Sequence, residues 1–394
     1  MTPAMPLEGL RVLDCTQVMA GPYATLLLAD MGAEVIKIEK PSGDDSRKMG
    51  PPFINGESAA FLGVNRNKKS VVLNLKSKLG QNAFKKIAQE VDVVAENFKP
   101  GVMKKLGLGA DDLRANHPEL IYLSISGFGQ TGPYNDRPGY DLLAQGMSGI
   151  MSTTGYPDSP PVKVSIPIAD LSAGMYAAYG VLSAYIHRLK TGEGQVIDTS
   201  LLESAIALTV WESAEYWGSN SVPEPKGSAH RLVAPYQAIA SLDGFFNIGI
   251  ANQTNYERFC SAINRQDLLE NPEYIDNPSR LIHYQKLTTQ IELTTREKTS
   301  SEWLQILNAH GVPAGPIYSM DEVFNDPQVV HREMVKELDH PIAGQIKNLG
   351  IPVKLSKTSG SIRMPAPTLG QHTEVVLREF GFPAELIQKI AVDI

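Results

Sequence analysis

One carboxylate, Asp170, lies where an apolar segment, 164–169, turns into a long helical pattern that runs to about Leu189. The first backbone N–H groups of a helix lack intrahelical acceptors and favour negative charge, which would keep this carboxylate ionised. Burying a carboxylate among apolar residues is costly unless it is paired or functional. Asp170 is therefore a candidate catalytic carboxylate. The alternative is an ordinary helix N-cap, a position that Asp prefers.

The helix that follows Asp170 carries many small residues, namely Gly174, Ala177, Ala178, Gly180, Ser183 and Ala184. Small side chains let the backbone of another element approach a helix closely. This pattern favours the catalytic interpretation, because a tightly packed helix would hold the carboxylate in a fixed position.

A second group of candidates lies on or just beyond the ends of predicted strands: Lys40, Asn97, Phe98, Lys99 and Lys105. In an open parallel sheet, ligands bind outside the carboxyl ends of the strands. Three lysines near one crevice would suit a phosphorylated ligand such as a nucleotide or coenzyme A. The alternative is a solvated surface, where lysines are most often found.

Strand and helix patterns alternate in the part of the chain that carries these residues. The patterns predict strands over 10–15, 34–39, 70–75, 92–98, 120–126 and 194–200. They predict helices over 22–31, 81–91, 170–189 and 201–211. Strand, helix and strand within about thirty residues imply parallel pairing, so we predict a doubly wound α/β domain.

The segment 127–132 matches G-x-G-x-x-G directly after a predicted strand. Pro133 and Pro138 follow it closely, so a regular helix that would hold a pyrophosphate is not expected there. The segment is better interpreted as a loop whose glycines let the backbone approach something closely. A Walker motif and a Ser/His/Asp order are both missing from the sequence.

The composition changes at 218–228, where Gly, Ser and Pro indicate a linker. Beyond it, two apolar runs flank Leu242-Asp243-Gly244, a strong hairpin signal, and helical patterns cover 255–263 and 283–309. We therefore predict a large domain over 1–217, a linker over 218–229 and a small α+β domain over 230–334. A second linker over 335–359 and a C-terminal segment over 360–394, with a helix over 371–380, would return the chain to the large domain.

Composition excludes several classes of function. The 394 residues carry a net charge of −7, which argues against nucleic-acid binding. Cys15 and Cys260 are the only cysteines, and the eight His are scattered, so neither a disulfide framework nor a metal site is expected. Neither a secretory signal nor a membrane-spanning stretch is expected from the residue pattern. The expected location is the cytoplasm.

Nine segments, in order along the chain, resemble the class III coenzyme A transferases, the family that also contains the alpha-methylacyl-CoA racemases. The segments are 16–22, 35–39, 96–101, 126–134, 139–141, Asp170 with its helix, 191–195, 230–236 and 365–373. Because they span nearly the full length, the resemblance covers the whole chain.

The resemblance implies a Rossmann-like large domain and a smaller α+β domain in a ring-shaped chain, two copies of which interlock as a homodimer. It also implies that Asp170 attacks an acyl-CoA thioester to give an aspartyl anhydride and free CoA thiolate. The thiolate would then form an aspartyl-CoA thioester, which an acceptor acid attacks. Succinyl-CoA is the expected donor and a small dicarboxylic acid the expected acceptor. Coenzyme A is here a substrate, and no permanently bound cofactor is expected.

The resemblance also suggests the residues that bind the coenzyme: Met19, Ala20, Lys40, Leu73, Asn74, Leu75, Lys76, Asn97, Phe98, Lys99, Lys105, Arg137 and Tyr140. Arg231 lies at the entry to the small domain, which in this family faces the active site across the dimer. Its guanidinium would hold the remote carboxylate of a dicarboxylic substrate. The alternative is a surface salt bridge near a linker.

Two departures from the family pattern affect the choice of reaction. Formyl-CoA transferases carry a run of glycines that closes over the catalytic Asp. Residues 249–252 here are Gly-Ile-Ala-Asn, so the loop gating and substrates of those enzymes are not carried over. The racemases have His where this chain has Tyr140, which lacks a suitable pKa for removing an α-proton. CoA transfer is therefore the preferred function. The alternatives are a racemase with Asp170 as base and a catalytically idle CoA-binding protein.

Overall fold

Six parallel strands form one sheet in the first of the two compact units of the chain. The computed structural model describes residues 5–393. The first unit comprises Met1–Ile150, Lys163–Ala214 and Pro327–Ile394, and the second comprises Met151–Val162 and Glu215–Asp326. These divisions fall near, but not at, the domain boundaries predicted at 217 and 334.

The strands, in chain order, are β1 (Arg11–Asp14), β2 (Glu34–Glu39), β3 (Phe53–Ile54), β4 (Glu57–Ser58), β5 (Lys68–Val72), β6 (Val93–Glu96), β7 (Ile121–Ser126), β8 (Val196–Ser200), β9 (Tyr236–Ala240), β10 (Phe245–Gly249), β11 (Ala314–Pro316), β12 (Val335–His340) and β13 (Gly344–Leu349). The helices, in chain order, are α1 (Ala20–Asp30), α2 (Ala59–Val64), α3 (Lys78–Ala88), α4 (Val102–Lys105), α5 (Ala110–Arg114), α6 (Asp141–Met147), α7 (Ile150–Thr153), α8 (Ile168–Thr191), α9 (Leu201–Ala207), α10 (Val210–Ser219), α11 (Gln253–Ala262), α12 (Gln266–Glu270), α13 (Asn277–Ile282), α14 (Tyr284–Thr295), α15 (Ser300–Ala309), α16 (Met320–Val323), α17 (Pro327–His331), α18 (Thr373–Glu379) and α19 (Ala384–Val392). Short 3₁₀ turns occupy Asp45–Lys48 and Pro272–Tyr274. Within residues 5–393, every helix is too short or too polar to cross a membrane.

The central sheet has the order β5–β2–β1–β6–β7–β8, and each neighbouring pair is parallel. Successive side chains of a strand point to opposite faces, so Val12 and Leu13 enter different cores. Val12 packs in a cluster with residues of α1 and α8, whereas Leu13 packs with residues of α3 and α18. Burial on both faces explains the apolar runs of these strands. The prediction of an α/β fold with a parallel sheet is confirmed.

Helix α8 runs for 24 residues and packs closely against α1. A Cβ at Gly174 would lie 2.7 Å from the carbonyl oxygen of Ala20, so only glycine fits at this crossing. Gly174 therefore has the role predicted for the small residues of α8, since it lets the start of α1 approach the helix closely. The helix ends at Gly192, which adopts a left-handed conformation with φ 78°.

The second unit contains an antiparallel sheet of order β11–β10–β9. The predicted hairpin is confirmed, because β9 and β10 pair across the turn at 241–244. One apolar cluster joins this sheet to the helices that follow, with Phe246, Phe259 and Trp303 all buried in it.

Two segments differ from their predicted structure. The segment 335–359, predicted to be a linker, begins with the antiparallel hairpin β12–β13, which belongs to the first unit. The helical pattern over 283–309 is divided into α14 and α15, because Thr299 and Glu302 form a capping box that starts a new helix.

Candidate active site

Asp170 is the third residue of α8 rather than its cap. The helix begins at Ile168, and its N-cap is Pro167. The free N–H group of Ala169 donates a hydrogen bond of 2.9 Å to Oδ1 of Asp141, which is the first residue of α6. The N-cap explanation for Asp170 is therefore wrong, because another carboxylate binds the helix terminus.

The environment of Asp170 favours its protonated form. Burial, and to a lesser extent the nearby charge of Asp141, raise the pKa of Asp170 to about 7. Among residues 5–393, none donates a hydrogen bond to the Asp170 carboxylate. The expectation that the helix N–H groups keep this carboxylate ionised is therefore wrong.

A cleft of about 570 Å³ opens beside Asp170 in the first unit. Its wall contains most of the residues predicted to bind the coenzyme, together with the catalytic candidate: Met19, Ala20, Lys40, Lys76, Asn97, Phe98, Lys99, Tyr140 and Asp170. We call this space the Asp170 cleft. Its wall comes from residues near the carboxyl ends of β1, β2, β6 and β7 and from the first turns of α1 and α8. This is the ligand-binding edge of an open parallel sheet.

A second space of about 450 Å³ shares Gln17, Lys40, Lys76 and Phe98 with the Asp170 cleft. We call it the apolar pocket. Its other lining residues include Leu73, Asn74 and Leu75, as the resemblance implied, together with Cys15, Ile38, Val102 and Leu106. The two spaces offer an apolar end and a lysine-rich end, which suits a long ligand that carries both a ring and phosphates.

Three of the predicted site residues lie outside both spaces. Lys105 is exposed at the end of α4, whereas Arg137 stacks over the ring of Tyr134, with 3.8 Å between its guanidinium carbon and the ring centre. Arg231 belongs to the second unit, where its guanidinium lies 3.1 Å from the carboxylate of Glu215. It also donates a hydrogen bond of 2.7 Å to the carbonyl of Glu224. The salt-bridge alternative for Arg231 therefore has a direct counterpart in the structure.

Asn97 supports the cleft wall through the backbone of a neighbouring loop. Its Oδ1 accepts a hydrogen bond from the N–H of Gln17, and its Nδ2 donates to the carbonyl of Gln17, both at 2.8 Å. Both ends of the Asn97 amide are thus used to fix the loop between β1 and α1.

Lys40 has a carboxylate partner in the cleft wall. Its Nζ lies 2.5 Å from Oδ1 of Asp45, and both side chains are largely exposed. An exposed pair of this kind is weak, so a phosphate can replace Asp45 at little cost.

Gly127 and Gly139, which also line the Asp170 cleft, allow two loops to cross in contact. A Cβ at Gly127 would lie 2.5 Å from Cα of Gly139, and a Cβ at Gly139 would lie 2.2 Å from Cα of Gly127. The interpretation of 127–132 as a loop of close backbone approach is confirmed at Gly127, whereas a Cβ at Gly132 would meet nothing within 4 Å.

Sequence reasoning missed three residues at this site. Gln17 and Val18 line the cleft, although neither was chosen as a site residue. Asp141 binds the terminus of α8 at Ala169, 28 residues away in sequence, and its charge influences Asp170. The signal for Gln17 and Asp141 was their position inside matched family segments. Val18 lies in the same matched segment as Gln17, but nothing in the sequence indicated its positive φ.

The donor set of this site does not suggest a metal ion. Residues 5–393, the part of the chain that the structure describes, contain no group of three or more His, Cys, Asp or Glu side chains that could hold a metal ion. The chemistry available is that of a carboxylate with a raised pKa beside a lysine-rich cleft.

A parallel α/β sheet with a carboxylate at its ligand-binding edge is compatible with several enzyme classes, and comparison with known proteins supplies the family. The sequence pattern described as CoA-transferase family III matches residues 7–373. Succinyl-CoA:glutarate CoA-transferase of Mus musculus is 41% identical over 375 residues, which cover 95% of this chain and 86% of that protein. Succinyl-CoA:mesaconate CoA-transferase of Haloarcula marismortui is 40% identical over 385 residues, which cover 95% of this chain and 96% of that protein. A crystal structure of a CAIB/BAIF family protein from Brucella suis has 36% identity and a TM-score of 0.86, covering 96% of this chain and 100% of that one.

The chain therefore belongs to CoA-transferase family III and is an enzyme of that class. The family resemblance predicted from the nine segments is confirmed.

Proposed function

We propose that this enzyme transfers coenzyme A from succinyl-CoA to a small dicarboxylic acid, with Asp170 as the nucleophile. The observation that carries the proposal is the presence of Asp170 in a cleft that Lys40, Lys76 and Lys99 also line. The relatives support the substrates, because their names give succinyl-CoA as donor and glutarate or mesaconate as acceptor.

The proposed reaction proceeds through two kinds of covalent intermediate on Asp170. The carboxylate attacks the thioester carbonyl, the C–S bond breaks, and CoA leaves as a thiolate from a mixed anhydride. The thiolate attacks the aspartyl carbonyl, releasing the donor acid and leaving an aspartyl-CoA thioester. The acceptor carboxylate attacks that thioester, and the thiolate expelled then attacks the acyl carbonyl of the new anhydride. The products are the new acyl-CoA and free Asp170.

The environment of Asp170 suits a nucleophile. A carboxylate in water is strongly solvated and weakly nucleophilic, whereas burial without hydrogen-bond donors leaves its charge poorly stabilised and therefore reactive. The ionised form must predominate for attack, so activity should increase as the pH rises through about 7.

The two adjoining spaces suggest how the coenzyme lies. We assign the phosphates to the side of the cleft with Lys40, Lys76 and Lys99, and the nucleotide ring to the apolar pocket beside Leu73 and Phe98. The pantetheine arm would then reach along the cleft towards Asp170.

One observation favours racemisation as a second candidate function. A carboxylate whose pKa is raised to about 7 is well matched to act as a general base near neutral pH. A racemase needs a second group on the opposite side of the α-carbon, and Tyr140, which replaces the His of the racemases, is 70% exposed. Incorporation of deuterium from solvent at the α-carbon of a 2-methylacyl-CoA would identify a racemase, and a transferase should incorporate none.

We further propose that two copies of the chain form the interlocked dimer that the family resemblance implies. Helix α8 supports this proposal, because its outer side exposes a long apolar stripe: Met175, Tyr176, Tyr179, Leu182, Ile186 and Leu189. An apolar surface of this kind marks a protein interface. Linked rings separate only when a chain unfolds, so tagged and untagged dimers should not form hybrids within hours under native conditions. Hybrids that form within minutes would contradict interlocking.

A cytoplasmic location is also proposed. Cys15 and Cys260 are both buried thiols that form no disulfide, which suits a reducing compartment.

The direct test of the proposed function is a substrate screen. Purified enzyme is incubated with succinyl-CoA and, in turn, glutarate, mesaconate and monocarboxylates of similar length, and the new acyl-CoA is measured by chromatography. Transfer to dicarboxylates supports the proposal. A clear preference for monocarboxylates would contradict the substrate assignment, and the absence of any transfer would contradict the function.

A further inference from the structure

The loop between β1 and α1 enters the wall of the Asp170 cleft in an unfavourable backbone conformation. Gln17, Val18 and Met19 all line the cleft, and Val18 has φ 67°. A β-branched side chain in the left-handed region clashes with its own backbone, and such a conformation persists only where surrounding contacts impose it. The geometry of this loop must therefore be maintained by other parts of the protein.

Side chains from the end of β1, from β2 and from the residue after β6 bind the first part of this loop. Oδ1 of Asp14 accepts a hydrogen bond of 2.9 Å from the N–H of Thr16, and Nζ of Lys37 donates a hydrogen bond of 2.8 Å to the carbonyl of Thr16. Asn97 binds both backbone groups of Gln17, as described above. The residues that precede Val18 are thus fixed on both their N–H and carbonyl sides.

The strained residue itself is bound by an ion pair. Oδ1 of Asp44 accepts a hydrogen bond of 3.1 Å from the N–H of Val18, and Oδ2 of Asp44 lies 2.8 Å from Nζ of Lys37. Both charged side chains are completely buried. Ser46 donates two further hydrogen bonds of 2.8 Å to Oδ1 and fixes the carboxylate in place. A buried pair with this many partners has one geometry, and so imposes one geometry on the loop.

We propose that the buried Lys37–Asp44 pair is a positioning device of the acyl-CoA site, which holds Val18 in its strained conformation and thereby fixes Gln17 and Met19 beside Asp170. The inference rests on the proposed function, because it takes the Asp170 cleft to be the acyl-CoA site. Lys37 and Asp44 lie outside the cleft wall, so they act through the loop rather than on the substrate. Without the pair, Val18 should relax to a negative φ and carry its neighbours away from their cleft positions.

The proposal separates positioning from general stability, because the strain resides in one residue. Glycine adopts a positive φ without cost, so a Val18→Gly enzyme no longer needs Asp44 to maintain the loop. The effect of Asp44→Ala on catalysis should therefore depend on whether position 18 is valine or glycine. A purely structural role for Asp44 predicts the same effect in both backgrounds.

The experiment measures kcat and KM for succinyl-CoA in the full-length enzyme, at a temperature where each variant is folded. Asp44→Ala should lower kcat/KM roughly tenfold in the wild-type background, as expected for loss of a hydrogen bond to a charged group, and less than about threefold in the Val18→Gly background. The matched control is Asp30→Ala. Asp30 lies at the far end of α1 and forms a largely buried pair with Arg66 at 2.6 Å, outside both spaces. This control should destabilise the enzyme without changing kcat/KM in either background.

Each outcome is informative. Equal losses for Asp44→Ala in the two backgrounds, or a loss no larger than that of Asp30→Ala, would overturn the inference while leaving the proposed function intact. A wild-type enzyme that transfers no CoA would overturn both. Should Asp44→Ala fail to fold, the same comparison is made with Asp44→Asn, which keeps the side-chain shape and removes the charge that binds Lys37. Asp44→Asn should lower kcat/KM less than Asp44→Ala does, and this decrease should also be smaller in the Val18→Gly background than in the wild-type background.

Discussion

Two aspartates of the first unit, Asp170 and Asp44, are both buried, yet their pKa values move in opposite directions. Burial raises the pKa of Asp170 to about 7, with Asp141 adding a repulsive charge. Burial acts on Asp44 in the same sense, but the charge and hydrogen bond of Lys37 and the hydrogen bonds of Ser46 outweigh it and lower the pKa of Asp44 to about 2. The partners of a buried carboxylate therefore determine its ionisation. One arrangement provides a reactive group and the other a fixed support.

The largest expected effect is on catalysis. Asp170→Asn removes the nucleophile and should lower kcat by about 10⁴-fold or more, while CoA binding stays within a few fold of wild type. The two quantities are measured by the transfer assay and by calorimetric titration with CoA. The matched substitution Asp44→Asn should reduce activity far less. Substantial activity in Asp170→Asn would remove the nucleophile assignment.

The same two substitutions should change stability in opposite directions. The folded-state pKa of Asp170 is raised, so ionisation of this group destabilises the fold as the pH rises through about 7. Asp170→Asn should accordingly stabilise the enzyme at pH 8 by about 2–4 kcal/mol, with no gain below about pH 4.

Asp44 has the reverse linkage. The pKa of Asp44 in the folded protein is lowered to about 2. Its contribution to stability is therefore fully present at pH values above the pKa of an aspartate in the unfolded chain, and is lost as the pH falls towards 2. Asp44→Asn should cost about 2 kcal/mol at pH 8 and progressively less in acid. Chemical denaturation of both variants at pH 8 and pH 4 checks the pair of predictions. Two changes of the same sign at pH 8 would contradict the account of burial and partners.

A smaller effect is expected from Asp141. For wild-type enzyme, kcat/KM should increase with pH to a plateau above about 7, because the ionised Asp170 carboxylate is the attacking form. Asp141→Asn removes the neighbouring negative charge, so the midpoint of this profile should move to lower pH. Since burial is the larger cause of the raised pKa, the midpoint should remain above the ordinary range of an aspartate. An unchanged midpoint would mean that Asp141 acts only as the cap of α8.

The parts of the fold that follow from local pattern were predictable from the sequence. Apolar strands buried on both faces, the hairpin around Leu242-Asp243-Gly244 and the small-residue face of α8 each have a signal within a few neighbouring residues. The hairpin β12–β13 was missed because short strands with one buried face carry a weak alternating pattern among Pro, Gly and Lys.

The site was less predictable, because its decisive contacts join residues that are distant in sequence. The bond from Ala169 to Asp141 and the bond from Val18 to Asp44 depend on tertiary structure alone. A valine with positive φ has no sequence signature, since its ordinary preference is for strands. Arg231 illustrates the opposite problem, because an arginine inside a matched family segment suits a substrate contact and a salt bridge equally.

The smallest expected effect concerns Arg231. If its guanidinium also binds a substrate carboxylate, Arg231→Ala should lower kcat/KM for glutarate roughly tenfold more than for pentanoate. The control is Glu215→Ala, which removes the observed partner at 3.1 Å but keeps the guanidinium. Equal losses for both acids, matched by Glu215→Ala, would assign Arg231 a structural role.

The central claim is that Asp170 forms a covalent bond with the acyl group and with CoA. It is tested by incubating the enzyme with succinyl-CoA, adding hydroxylamine or borohydride, and mapping the modified peptide by mass spectrometry. The account predicts an aspartyl hydroxamate or the corresponding alcohol at Asp170 and an unmodified peptide in Asp170→Asn. A modification at another residue, or none while transfer proceeds, would contradict it.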